Sequence, residues 1–239
     1  MTRYAQHPHP ERHDRAINQL RIRIAHLAAR LIAEGLTDYR AAKLKAARQL
    51  NCDDKNALPD NHEIEVALRE HLALFAADTQ PAALHALRRV ALRAMQWLQM
   101  EGQLGRQLKG PSQHHQEHQT VASTIDVWLT GAVLNGTANE FSEIELELVG
   151  LEAKTIEFML LNRGVEFELR ASSAKSMHDQ RHAAANIIQY HLEFENAPLV
   201  ITLHASHAQR LALYPRGSRN HERVQLAEAI ARFQKESKP

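Results

Sequence analysis

The spacing of apolar residues changes once along this chain of 239 residues, and that change constrains the fold more than any other feature. Up to about residue 98, apolar residues recur every three or four positions, as they do on one face of an amphipathic α-helix. From about residue 126 they alternate with polar residues, as they do along half-buried strands. The sequence therefore predicts an α+β protein with a helical N-terminal region, followed by a mixed sheet of about five strands with helices on one side.

Four amphipathic helices are predicted before this change, and we expect them to form an antiparallel bundle. Gly35 is expected to end the first helix, and Thr37 and Asp38 can cap the second. At the start of the third helix, Asp60 can cap the first turn while Glu63 reaches back to it, as in a capping box.

The fourth helix is predicted to begin with Pro81 in its first turn and to end near Gly102. Beyond it the composition shifts to Gln, His, Gly and Ser, in "KGPSQHHQEHQT", which is typical of a flexible connection. These features predict four segments: a disordered tail at 1–14, a helical region at 15–101, a flexible connection at 102–120 and a sheet domain at 121–235.

Charged residues are distributed unevenly, although the net charge is only +1. Residues 1–50 contain ten Lys or Arg and four Asp or Glu, whereas residues 140–170 contain three and eight. Residues 206–239 are again basic. Basic ends around an acidic centre fit a phosphate-rich partner that approaches a cation site. Solvated helix faces that happen to be basic explain the same pattern.

A single cysteine, Cys52, excludes a disulfide framework and a thiolate metal cluster, and suits a reducing cytosol. No apolar run approaches the length of a membrane-spanning helix, and "MTRYAQHPHPERHDR" lacks the apolar core of a signal peptide. We therefore expect a cytoplasmic protein that does not enter a membrane.

The stretch "LTGAVLNGTANEFSEIELEL" combines a glycine turn with an acidic strand. Alternation places Glu143, Glu145 and Glu147 on one strand face. Carboxylates at i and i+2 are oxygen ligands of the kind that Mg²⁺ prefers, and a glycine turn lets a triphosphate approach the backbone. The pattern also fits the polar face of a half-exposed strand. Three like charges on one face repel unless a cation lies nearby, either a metal ion or arginines from "YPRGSRN" or "LRIRIAHL".

The longer segment "LTGAVLNGTANEFSEIELELV…EAKTIEFMLLNRGVEFELR" resembles the nucleotidyltransferase superfamily of the DNA polymerase β type, and within it a group of small proteobacterial proteins. "DYRAAKLKAARQL" and "LPDNHEIEVALREHLALF" are similar to the same group, so the resemblance covers about residues 20–230. It implies a nucleotidyltransferase-like domain and Mg²⁺-dependent transfer of a nucleoside monophosphate from an NTP to an acceptor.

Carried over to this chain, the resemblance implies that Gly131 and Ala132 form the phosphate turn. It implies that Glu143 and Glu145 are the catalytic metal ligands. Three features depart from the family pattern. Ala132 stands where a serine is usual, both aspartate positions are glutamate, and the third ligand is not assigned. The metal motif is therefore degenerate.

The third carboxylate belongs on a later strand, where Glu193 and Glu195 are both available. Arg210, Arg216 or Arg219 could bind the leaving pyrophosphate, and Arg216 and Arg219 are the preferred nucleotide-binding pair.

The second predicted helix is basic, which suggests binding to RNA as a different function. Arg40, Lys43, Lys45 and Arg48 lie close to one stripe of the second helix and could contact the phosphates of RNA together. A solvated helix face explains these residues as well. The alternative function is therefore a catalytically inactive nucleotidyltransferase-fold protein that acts as an RNA-binding or protein-binding module.

Overall fold

The computed structural model describes residues 10–36, 38–108, 125–174, 185–204, 206–213 and 222–236. The chain divides into two compact units, Met1–Gln80 and Pro81–Pro239. Each unit has its own apolar core among the described residues. The α+β class and the helical N-terminal region are confirmed. No described helix is both long enough and apolar enough to cross a bilayer.

The first unit consists of helices around an alanine-rich core. Its elements are α1 (Pro10–Ala33), α2 (Tyr39–Gln49), a short 3-10 turn (Lys55–Ala57) and α3 (Asn61–Phe75). Small side chains such as Ala28 and Ala46 let the helices approach closely, and Ile24, Ile64 and Leu68 fill the space between them. Packing against this core stabilises the three helices, although their sequences are only weakly apolar.

The helix ends of the first unit mostly agree with the predicted caps. Gly35 follows α1 with a φ of 105°, which favours glycine. Asp38 caps α2, whereas Thr37 lies outside the described residues. Asp60 and Glu63 form the predicted capping box. The helix α1 begins at Pro10, so part of the tail predicted as disordered is helical. Proline suits a first helical turn because its fixed φ is already helical.

The second unit consists of a mixed sheet with flanking helices. Its strands are β1 (Asp126–Thr130), β2 (Ile144–Val149), β3 (Phe167–Ala174), β4 (Ala185–Phe194), β5 (Ala197–His204) and β6 (Val224–Gln225). Its helices are α4 (Gln80–Leu108), α5 (Gly131–Asn135), α6 (Ala153–Asn162), α7 (His207–Leu213) and α8 (Leu226–Glu236). The strand order is β3-β4-β5-β2-β1-β6, with β2 and β5 parallel and the other neighbours antiparallel.

The described strands number six, whereas the sequence predicted about five. The additional strand is β6, whose two residues are too few to show an alternating pattern. The segment Asn196-Ala197-Pro198 predicted a hairpin turn between β4 and β5. The hairpin is present, but its turn residues are Glu195 and Asn196, with φ values of 51° and 63°, and Ala197 and Pro198 belong to β5. Two consecutive residues with positive φ form the kind of tight turn that matches strand twist.

The helix α4 corrects two predictions. It continues past Gly102 to Leu108, so residues 102–108 of the predicted flexible connection are helical, and residues 109–120 lie outside the described residues. A Cβ on Gly102 would lie 2.2 Å from the Ile125 side chain, so this glycine permits close packing and does not end the helix. Because Ala91, Met95 and Leu98 pack in the sheet core, the second unit includes α4 from Pro81 onwards and does not begin after it.

Helices cover mainly one face of the sheet. The helices α4, α6 and α8 contribute Leu98, Ile156 and Phe233 to the core that contains the apolar face of β2. The short helix α7 lies on the opposite face, where its Arg210 reaches Glu147. The helix α5 places Val133 and Leu134 in the same core, so the prediction of helices on one side is correct for four helices and wrong for α7.

Candidate functional site

The acidic residues of β2 lie on the face of the sheet opposite the main helices. Ile144 and Leu146 are buried in the core, and Glu145 alternates with them. In the sheet, Glu145 pairs with Thr130 of β1 on one side and with Val200 of β5 on the other. Since Thr130 is the last residue of β1, the turn that follows β1 begins beside Glu145.

Gly131 occupies that turn with a φ of 71°. A Cβ added to Gly131 would lie 2.2 Å from Oε1 of Glu145, so the carboxyl group packs directly against the glycine. Any larger residue would displace this carboxyl group and would also strain the backbone. The structure therefore brings together Gly131 and Glu145, which are fourteen positions apart in the sequence. Ala132 is half-buried in the first turn of α5, and its carbonyl accepts hydrogen bonds that end this helix.

The surroundings of Glu145 disfavour its charged form. Glu145 as a whole is exposed, but its carboxyl group lies against the backbone of Gly131. The loss of hydration, followed by the charges of Glu143 and Glu147, raises the pKa of Glu145 to about 7. A positive charge nearby would oppose the repulsion from Glu143 and Glu147 and favour the charged form.

Glu147 has a different environment. It is 6% exposed and forms an ion pair with Arg210, which is 4% exposed. Nη1 of Arg223 lies 3.8 Å from Oε2 of Glu147, and Nε2 of His204 lies 4.0 Å from the same oxygen. Arginines therefore neutralise this member of the acidic strand, but neither comes from the two segments that the sequence suggested. Arg210 holds Glu147, which corrects its suggested role at pyrophosphate.

Arg223 and Trp128 complete this buried cluster, and sequence reasoning missed both. The guanidinium of Arg223 lies over the Trp128 ring, 3.8 Å from its centroid. Burial, and then the charge of Arg210, lowers the pKa of Arg223. Burial likewise lowers the pKa of His204. Trp128 lies two residues before Thr130 on β1 and therefore on the same face, which the sequence could have indicated. Nothing in the sequence indicated that Arg223 turns inward.

The two candidates for a third carboxylate are not placed beside Glu145. Glu195 lies in the β4–β5 turn and binds Arg93 of α4, and this hydrogen bond lowers the pKa of Glu195. Glu193 lies on β4, which β5 separates from β2. Two strand spacings place β4 about 10 Å from β2. On β5, the positions that face the same way as Glu145 include Val200 and Thr202, and neither is acidic.

The described residues do not supply the three carboxylates of a two-metal site. Mg²⁺ is commonly held by one or two protein carboxylates together with substrate phosphates. Glu143 and Glu145 are the two carboxylates that the sequence suggested for this role. A second ion would need a further carboxylate close by. Within the described ranges, no three His, Cys, Asp or Glu residues are grouped so that they could hold a metal ion.

The predicted nucleic-acid residues lie on α2 in the first unit. Arg40, Lys45 and Arg48 are exposed. Nζ of Lys43 instead donates a hydrogen bond to Oδ1 of Asn61 at 3.2 Å, and burial lowers the pKa of Lys43. Lys43 therefore points towards α3 and leaves the predicted stripe.

Arg216 and Arg219, the predicted nucleotide-binding pair, lie outside the described residues. No protein-family model, curated protein or solved structure matches this chain.

Proposed function

We propose that this chain is a nucleotidyltransferase-like enzyme that binds an NTP with Mg²⁺ and transfers its nucleoside monophosphate to an acceptor. The observation that supports this proposal is the contact between the Glu145 carboxyl group and the side-chain-free Gly131. A glycine beside a carboxylate is an arrangement that a metal-chelated triphosphate could use, because glycine lets phosphates approach the backbone.

In this proposal Glu143 and Glu145 would hold the ion, and Gly131 would leave room for the phosphates. Mg²⁺, when bound, neutralises negative charge on the triphosphate and on the reacting phosphoryl group. An oxygen or nitrogen of the acceptor would form a bond to the α-phosphorus while the bond to pyrophosphate breaks. Ala132 would contribute only its backbone, because it lacks the hydroxyl group of the usual serine.

The test compares the wild type with the double variant Glu143→Gln, Glu145→Gln. Both substitutions keep side-chain size and remove charge. We expect titration calorimetry to detect Mg²⁺-dependent binding of at least one NTP to the wild type only. We also expect labelling of a cell extract from α-³²P NTPs to disappear in the double variant. Glu70→Gln, at an exposed position of α3, is the matched control. Equal labelling by wild type and double variant would contradict the proposal.

A second candidate is an inactive protein of this fold that binds RNA or another protein. It is favoured by the missing acidic residue on β5, the strand next to Glu145. In this case the double variant would unfold at a higher temperature, because two repelling charges are gone. Its RNA or protein binding would be unchanged, and the wild type would bind no NTP.

A further inference from the structure

A groove of about 620 Å³ lies between α4 and α8 in the second unit. Both helices pack against the apolar face of the sheet, so this groove is on the side opposite Glu145. Leu92 and Ile230 contribute apolar surface to it, one from each helix. Its volume is within the range of pockets that hold small molecules.

The charged residues of this groove are all basic. His85 and Arg89 line it from one face of α4, four residues apart, and Lys235 lines it from α8. No Asp or Glu is among those lining residues that the structure describes. Arg89 and Lys235 have no carboxylate partner in the part of the chain that the structure describes. The groove therefore presents at least two uncompensated positive charges beside an apolar surface.

Arg88 has a different role in the same groove. Its Nε donates a hydrogen bond to the Val133 carbonyl at 3.2 Å, and its Nη1 lies 2.6 Å from Oε2 of Glu236. Its guanidinium lies over the Phe233 ring, 4.4 Å from the centroid. These contacts fix Arg88 as part of the wall and balance its charge, so Arg89 and Lys235 carry the attraction for an anion.

We propose that this groove binds a small organic phosphate monoester. A phosphate monoester carries close to two negative charges and three strong acceptor oxygens, which suit donors from two helices better than one planar carboxylate does. The organic part of the molecule lies against Leu92 and Ile230. The lining positions of α4 span two helical turns, about 10 Å, which fits a small molecule and is short for a nucleic-acid strand.

The test uses the full chain labelled with ¹⁵N and four probes: phenyl phosphate, inorganic phosphate, phenol and phthalate. We expect phenyl phosphate to bind saturably and to shift amide resonances of residues 85–92 and 230–235. Inorganic phosphate should bind more weakly, because it lacks an apolar part. Phenol that binds as tightly as phenyl phosphate would overturn the proposal, and so would phthalate that binds more tightly.

Variants separate this groove from the acidic site. Arg89→Gln and Lys235→Gln should each weaken phenyl phosphate binding roughly tenfold, the cost of one charge-assisted hydrogen bond. Lys154→Gln, at an exposed position of α6, is the matched control and should have no effect. The double variant Glu143→Gln, Glu145→Gln should bind phenyl phosphate as the wild type does. Loss of binding in that variant, or unchanged binding in both groove variants, would overturn the proposal.

Discussion

Glu145 and Glu147 stand two residues apart on the same face of β2, yet their surroundings give them different chemistry. Glu147 is buried, and Arg210 and Arg223 compensate its charge. Glu145 lies against Gly131, and its carboxyl group is repelled by the charges of Glu143 and Glu147. The first residue holds α7 on the sheet, whereas the second forms no ion pair with a described Lys or Arg.

The raised pKa of Glu145 predicts how stability depends on pH in metal-free buffer. The folded protein retains this proton up to about pH 7, whereas an unperturbed carboxyl group loses it near 4.5. The carboxyl group therefore costs stability progressively as pH rises from about 4.5 to about 7. Glu145→Gln should be about 1 kcal/mol more stable than the wild type at pH 8, a value reduced for solvent screening, and nearly equal to it at pH 4.

Thermal unfolding in EDTA checks this prediction, and the expected shift at pH 8 is about 2–4 °C. Glu70→Gln serves again as the control, because its position is exposed and lies on a helix of the first unit. A stabilisation of Glu145→Gln that is the same at both pH values would show that the effect comes from packing and not from charge.

Among the elements, α4 shows how a glycine can mislead a prediction from sequence. Gly102 follows a regular apolar stripe and stands before a polar segment, as a helix-ending glycine does. It nevertheless lies inside the helix, because its missing side chain makes room for Ile125. Glycine serves both purposes, and only the packing partner decides between them.

The predicted RNA-binding residues lie on α2. Arg40 and Arg48 are exposed eight residues apart, which places them on one side of this helix, and Lys45 lies nearby. If this stripe contacts RNA, Arg40→Gln with Arg48→Gln should weaken binding and reduce the salt dependence of log K by about two, one for each lost phosphate contact.

A filter-binding series across salt concentrations measures this slope. Arg23→Gln, at an exposed position of α1, is the control for general loss of positive charge. If the control and the α2 variant weaken binding equally, the interaction depends on net charge and not on this stripe. If the wild type binds no RNA, the hypothesis of an RNA-binding function is wrong.

For the whole molecule, the two separate cores predict that the second unit folds alone. A fragment of residues 81–239 retains Leu87, Met95 and Leu98, which α4 contributes to the sheet core. A fragment of residues 103–239, cut where the composition changes, loses all three. We expect cooperative thermal unfolding of the longer fragment by circular dichroism and none of the shorter one. Equal folding of both fragments would show that α4 is not part of the folding unit.

The sequence by itself determined much of the local structure. The capping box of Asp60 and Glu63, the alternation along β2 and the turn between β4 and β5 depend on neighbouring residues, so their patterns are visible in the chain. The resemblance to nucleotidyltransferases also comes from the sequence, over about residues 20–230, and it remains a prediction. Local rules succeed here because each feature is decided within a few positions.

Only the tertiary structure decided which residues meet. In the folded chain the Glu145 carboxyl group contacts Gly131, and Glu147 forms an ion pair with Arg210. Lys43 donates a hydrogen bond to Asn61, and the β5 residues beside Glu145 and Glu147 are not acidic. Each of these outcomes depends on strand order or helix packing between residues that are far apart in the chain. The sequence shows which charged side chains are present, but the fold determines which of them form ion pairs.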